Sequence, residues 1–256
     1  MCGRFVITSS PEALRQLFRY AERPNFPKQH NVAPTQPVPV VIRDNGERHF
    51  RLMRWGLLPS WVKDPRKFTL LINARSDSLL EKPAFKNAVR RRRCLIPADG
   101  WYEWQDQGTR KQPFFIYPSD GRPIAFAALA ETWAGPNGEE LDTVAIITTA
   151  ASHDLAPLHL RAPVTIADDY FEQWLDCRSE HPDNLADALA LLLPPSEGQF
   201  GWHAISTDVN RVANDHPGLM APLTAEQAAA PPAPEVKAPR PRAKPARPDD
   251  GQGSLF

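Results

Sequence analysis

Apolar residues in this chain come in short runs, and turn-forming residues close almost every one of them. Residues 38–43 and 49–55 are strand-like runs separated by Asp44-Asn45-Gly46, a tripeptide suited to a tight hairpin turn. Residues 94–97, 113–117, 124–129, 143–149, 164–167 and 201–206 are further apolar runs of strand length. Helical signals are fewer. Ser10 can cap a helix with Pro11 in its first position, and Leu14, Leu17 and Phe18 share one face; residues 82–92, 169–175 and 184–193 are further candidates. With 28 prolines in 256 residues, many connections are loops that neither a helix interior nor a central strand can occupy. The expectation is an α+β fold: one domain around a curved, mainly antiparallel, barrel-like sheet with peripheral helices. No βαβ rhythm, internal repeat or glycine-rich phosphate loop after a strand stands out.

The pattern holds over residues 1–224, the expected domain, and then stops. Residues 225–250 are dominated by Ala, Pro, Lys and Arg and contain no aromatic side chain, so they cannot bury enough surface to offset the entropy of ordering. A disordered linker is expected there. Apolar side chains return in the final segment, residues 251–256, as Leu255 and Phe256. Lys plus Arg equals Asp plus Glu at 30 each, so the net charge steers the chain toward no polyanion, and any nucleic-acid site must be a local patch. No apolar run approaches the ~20 residues of a spanning helix, and the first residues lack a signal-peptide core. Cys2, Cys94 and Cys177 have no disulfide or metal spacing, which predicts a reduced, cytoplasmic protein without metal or cofactor.

Four polar clusters stand out. Cys2 follows the initiator Met1, and its small side chain suits removal of that methionine, which would leave an α-amine and a thiol on one residue. With ordinary pKa values of about 8 and about 8.5, both are partly nucleophilic near neutrality. The amine can form an imine with an aldehyde and the thiol can close on the same carbon as a thiazolidine; alternatively, Cys2 is a small buried residue opening a strand. Asn73-Ala74-Arg75-Ser76-Asp77 follows the apolar Leu70-Leu71-Ile72, a strand end feeding a polar turn. Glu103 lies among Trp101, Tyr102 and Trp104; on a strand it would share a face with Trp101, and an aromatic wall can raise a carboxyl pKa into the range for acid–base work. His159-Leu160-Arg161 precedes the run at Val164. Each also has a structural role open to it: a turn cap for Asn73, an ion pair for Glu103, a surface histidine for His159. Trp55 and Trp61 flank a candidate loop as stacking platforms for unpaired bases, or else pack in the core. The run Arg90 to Arg93 offers guanidinium groups for phosphate contact, or a solvated helix end.

Taken together, Met1-Cys2-Gly3-Arg4-Phe5, Asn31-Val32-Ala33-Pro34-Thr35, Trp55-Gly56-Leu57-Leu58-Pro59-Ser60-Trp61, Asn73-Ala74-Arg75-Ser76-Asp77, the stretch from Arg93 to Trp104 and His159-Leu160-Arg161-Ala162-Pro163-Val164 resemble the SOS-response-associated peptidase family, in the family's order. The resemblance implies a domain that binds single-stranded DNA and captures ring-opened abasic sites covalently on the N-terminal cysteine. By that resemblance Cys2 is the nucleophile, Asn73 holds its amine and the sugar, Glu103 is the acid or base and His159 assists ring opening. It also implies possession of thiol-peptidase-like removal of Met1, and phosphate contacts from Arg4, Arg75 and Arg161, with Ser76, Trp55 and Trp61 completing the DNA surface. The family usually has methionine before the proline of the histidine motif, whereas Ala162 stands there in this chain.

Two other readings stay open. N-terminal-nucleophile hydrolases of the glutamine amidotransferase type also begin Met-Cys-Gly, although Arg4-Phe5 departs from their continuation. A noncatalytic adaptor could bind single strands through the tryptophans and arginines. Gln252, Leu255 and Phe256 resemble the bacterial sliding-clamp-binding peptide, which makes the clamp a candidate partner. A monomer associated with the nucleoid is the expected state.

Overall fold

Hairpin chemistry, strand propensity and helix caps place the elements of a computed structural model that describes residues 2–108, 110–178, 184–224 and residue 227. The strands are β1 (Arg4–Ile7), β2 (Gln29–Val32), β3 (Pro37–Asp44), β4 (Glu47–Trp55), β5 (Asn73–Arg75), β6 (Arg93–Ala98), β7 (Gly100–Asp106), β8 (Lys111–Pro118), β9 (Ile124–Ala134), β10 (Glu140–Ala150), β11 (Arg161–Pro163) and β12 (Phe200–Ala204). The helices are α1 (Pro11–Phe18), α2 (Ala88–Arg91), α3 (Phe171–Leu175) and α4 (Asn184–Ala190), with short 3-10 turns between elements.

The fold is α+β, as expected, and the curved sheet closes on itself. β3 and β4 form a hairpin from Pro37↔Arg54 to Asp44↔Glu47, turned by Asn45 and Gly46 at φ 48° and 87°, the pair of positive values a two-residue hairpin turn requires. From β3 the sheet continues antiparallel through β6, β9 and β10, and β10 returns to β4 in parallel register, making a five-stranded mixed barrel. A second, antiparallel sheet runs β12-β8-β7-β1-β2. The chain passes from barrel to second sheet between β6 and β7. There the Asp99 carboxylate accepts from the Thr8 and Ser9 N–H groups at 2.5 and 2.8 Å. Gly100 follows because a Cβ would stand 2.5 Å from the Ile116 carbonyl oxygen.

The core lies where these layers meet. Phe5 of β1 packs edge-on to Trp55 of β4 at 5.0 Å and to Phe126 of β9 at 5.9 Å, and Trp101 of β7 packs on Phe126 at 6.0 Å. Such pairs add about 0.5–1.5 kcal/mol each beyond the area they bury. Helix α1 covers one flank: Ser10 caps it, Leu14 and Phe18 are buried, and Phe18 stacks on Phe171 of α3 at 5.0 Å.

Several boundaries differ from the sequence expectation for local reasons. Of residues 82–92 only α2 is helical; successive turns from Ser78 to Asn87 precede it, which suffices to bury Phe85, Ala88 and Val89. Helix α4 ends at Ala190, ahead of Pro194-Pro195, whose rings bar helical continuation. The strand expected at 164–167 pairs instead at β11, with Thr165 making one bridge to Phe126. The arginine run divides. Arg93 is buried and donates to the carbonyls of Trp174 (2.7 Å), Val89 (2.8 Å) and Asp176 and to Asn184 Oδ1 (2.6 Å), so it is a structural tie and not a phosphate contact; Arg90, Arg91 and Arg92 are exposed. The linker and the terminal peptide lie outside the described residues, apart from Gln227. Among the described residues no helix is long and apolar enough to cross a membrane.

Removing a buried, fully bonded guanidinium strands its acceptors. Arg93→Met is expected to lower the unfolding free energy by about 3 kcal/mol, and the exposed Arg91→Met by less than about 0.5 kcal/mol, measured by urea denaturation.

Candidate functional site

β1 is a central strand of the second sheet, held on one side by β2 and on the other by β7 with Arg4↔Tyr102 and Phe5↔Trp101 in register. Glu103 follows Tyr102 on β7, near enough to Cys2 for its charge to act on the thiol. Glu103 and Trp101 do share a face, turned inward, while Tyr102 joins a separate cluster with Val6 and Phe115. Cys2 is 0% exposed and Glu103 3%. Burial pushes the Cys2 thiol well up, and the Glu103 charge adds to the rise. Burial likewise raises the Glu103 carboxyl to about 7, although the charge of the amino terminus pulls the other way. A carboxyl titrating there can give or take a proton at neutral pH.

Asn73 arrives from the barrel. It opens β5, which pairs in parallel with β10 through Asn73↔Ile146, and its Nδ2 donates to the Cys2 carbonyl at 2.8 Å. That bond ties Cys2, two residues before β1, to the short strand that flanks β10. Asn73 Oδ1 is buried and, among the described residues, accepts no hydrogen bond. A buried acceptor without a donor costs free energy, so this oxygen departs from ordinary core packing.

His159 sits on the loop between β10 and β11. Asp154 anchors that loop by accepting from Gly198 N at 2.9 Å, while Trp202 Nε1 donates to the Asp154 carbonyl at 3.2 Å and Gln105 Nε2 to the Pro157 carbonyl at 2.9 Å. His159 Nδ1 lies 3.0 Å from the Arg161 N–H and 3.1 Å from the Arg161 carbonyl, so its ring nitrogen accepts from one or donates to the other according to the tautomer. Burial, and then the amino-terminal charge, lower its pKa, so the imidazole is neutral at physiological pH.

Two arginines stand beside this cluster. Arg75 lies opposite Thr148 of β10, and Arg161 opposite Ala150. The Arg161 guanidinium donates to Thr148 Oγ1 at 3.2 Å and to the Thr148 carbonyl. Asp77 accepts from Arg75 through both oxygens and lies 3.5 Å from Arg161. Ser76 opens the 3-10 turn Ser76–Ser78 directly after β5. Arg4 donates to Asn31 Oδ1 (2.7 Å) and to the carbonyls of Val209 (2.9 Å) and Asn210 (3.4 Å). Asn31 reinforces the same segment by donating to the Val209, Arg211 and Asn214 carbonyls.

The tryptophans separate. Trp61 is 58% exposed, edge-on to Phe68 at 5.6 Å, in a loop held by the Trp133 Nε1 bond to the Val62 carbonyl. Trp55 is fully buried, with Nε1 donating to the Ile72 carbonyl at 2.9 Å. The expectation that Trp55 offers a stacking face is corrected: its ring is spent on Phe5. Thr148, the ledge for Arg161, carried no sequence signal beyond its place in an apolar strand. A groove of about 730 Å3 lined by Leu17, Ile124, Tyr170, Phe171 and Leu193 shares no residue with the cluster. Among the described residues no three His, Cys, Asp or Glu side chains form a group able to hold a metal.

The sequence model described as SOS response associated peptidase (SRAP) matches residues 1–212. Abasic site processing protein YoaM of Bacillus subtilis is 34% identical over 224 residues, covering 86% of this chain and 97% of its own. YedK of Escherichia coli is 34% identical over 229 residues (87% and 100%), and HMCES of Gallus gallus 34% over 267 residues (87% and 78%), both bearing the same descriptive name. A solved structure from Bacteroides thetaiotaomicron superposes with a TM-score of 0.75 at 23% identity over 87% of this chain and all of its own, a likeness of fold. The chain belongs to the SOS response associated peptidase family.

Burying Glu103 has a measurable consequence. Its folded pKa, about 7, exceeds the ordinary value of 4.5, so the fold favours the protonated carboxyl. Its contribution to stability is intact below about pH 4.5 and is lost as pH rises toward 7. Glu103→Gln escapes that loss. The variant is expected to melt above wild type at about pH 8, by on the order of 2 kcal/mol, with the gap closing near about pH 5 in calorimetry.

Proposed function

We propose that this protein binds single-stranded DNA and captures abasic sites as a thiazolidine on Cys2, shielding them from strand cleavage. The observation that carries the proposal is the bond from Asn73 Nδ2 to the Cys2 carbonyl, beside a carboxyl raised to about 7 and a neutral imidazole. The names of the relatives support the substrate.

Removal of Met1, by self-cleavage or by an aminopeptidase, gives Cys2 a free α-amine. An abasic deoxyribose is mostly a closed hemiacetal; His159 assists ring opening, in which the C1′ hydroxyl gives up its proton as its oxygen forms the C1′=O bond, the C1′–O4′ bond breaks and O4′ takes up a proton. The amine lone pair attacks the C1′ aldehyde to form a carbinolamine. Glu103 in its acid form protonates the departing hydroxyl, which leaves as water with formation of the imine. The sulfur then bonds C1′, the C=N π pair moves to nitrogen, and the thiol proton is taken up there. Closure removes the imine from which β-elimination would cut the strand, so lyase activity is confined to the period before it. Asn73 fixes the backbone of Cys2 and presents Oδ1 to the amine or the sugar. Trp61 supplies a stacking face, and Arg75 and Arg161 meet phosphates.

The wild-type protein is expected to form a denaturation-resistant adduct with single-stranded DNA containing an abasic site, seen by intact-mass spectrometry. Cys2→Ala should form none that survives, and retention of Met1 should abolish the adduct while leaving the thiol. A stable Cys2→Ala adduct of equal yield would refute the mechanism; release of ammonia from glutamine would favour the amidotransferase reading. We also propose that Gln252, Leu255 and Phe256, outside the described residues, dock on the replication sliding clamp. A chain ending at Asp250 should then lose retention on immobilised clamp, and equal retention would exclude the peptide.

A further inference from the structure

We infer that Asp77 is an internal phosphate mimic, which occupies the Arg75 and Arg161 guanidinium groups until DNA displaces it and so weakens binding to undamaged strands. The inference rests on the proposal that these two arginines meet phosphates.

Three observations combine. Asp77 accepts from Arg75 Nε and Nη2 at 3.1 and 2.7 Å, the two-pronged geometry a guanidinium also uses for two phosphate oxygens. The same carboxylate lies 3.5 Å from Arg161 Nη1, so one anion bridges both cations, as a single phosphate would. The side chains of Arg75 and Asp77 are more than half exposed, whereas Arg161 is held against Thr148 and is mostly buried. The cradle is therefore fixed on the Arg161 side and open on the Asp77 side. An exposed ion pair is weak and easily exchanged, unlike the buried ties of Arg93.

Displacement alters the ion balance. An arginine that neutralises a phosphate releases a cation from the DNA. Once displaced, the Asp77 carboxylate attracts a cation of its own and cancels part of that release. Asparagine would not. It would also leave both guanidinium groups uncompensated in the free protein, raising their attraction for a strand.

Fluorescence anisotropy with an undamaged single-stranded oligonucleotide across a salt series tests the inference on the full chain. Asp77→Asn is expected to bind about fivefold more tightly at moderate salt, the strength of one exposed ion pair expressed as a ratio. The slope of log affinity against log salt should steepen by a part of about 0.7, the value of one whole further phosphate neutralised on a single strand. In an Arg75→Gln, Arg161→Gln background the same substitution should change neither quantity. Equal or weaker binding by Asp77→Asn, where the double arginine variant binds more weakly than wild type, overturns the mimic and leaves the phosphate contacts standing. If the double arginine variant binds as wild type does, the phosphate contacts fail and the mimic with them.

Discussion

Strand β10 is the element on which the rest of the molecule depends, because it changes partners along its length. On one side residues 140–146 pair with β9, and residues 148–150 pair with β11. On the other, Thr143 and Val144 lie beside β4, and Ile146 to Thr148 beside β5. A strand position has only two neighbours, so the barrel closes on the first half of β10 and the second half is left to hold two short strands. Those strands carry Asn73, Arg75 and Arg161. The handover between β4 and β5 also explains the two tryptophans. Gly56 N donates to the Val144 carbonyl and Ile146 N to the Ile72 carbonyl, so the chain leaves the sheet after Trp55 and rejoins it at Ile72. Between them the chain buries Leu57, Leu58 and Val62, and Trp61 lies on the exposed side of that loop.

The residues near the amino terminus run against ordinary core chemistry. Glu103 is a carboxyl almost wholly removed from solvent, and Asn73 keeps a buried oxygen without a donor among the described residues. Neither arrangement serves stability by itself. Both are tolerated because the elements around them are fixed independently: β1 by neighbours on both sides, β7 by β1 and β8, β5 by β10. A rigid frame lets polar groups wait in positions that a softer one would abandon.

Much of this was legible in the residues. The short apolar runs and turn signals gave the α+β class and most strands, and the alternation from Trp101 to Trp104 gave the facing of Glu103, because these signals are local. β2 and β5 were not legible as strands: four and three residues long, they exist only through partners distant in sequence. The burial of Trp55 and Arg93 was hidden for a related reason. An indole beside a turn reads alike whether or not Phe5 packs on it, and a guanidinium in a basic run reads as solvated until the carbonyls of Trp174 and Asp176 are brought to it. The meeting of Cys2 with Asn73 spans seventy-one positions in the chain, and residue order alone does not encode its distance.

The complete burial of Cys2 has a chemical consequence for the protein at rest. A cysteine at the surface meets peroxides, disulfides and small electrophiles in proportion to their concentration, and an ionised one reacts with them fastest. Cys2 is sealed from solvent and held in its protonated state. Adventitious reagents are hindered by the same packing that fixes the residue, and a protonated thiol reacts with them more slowly than a thiolate.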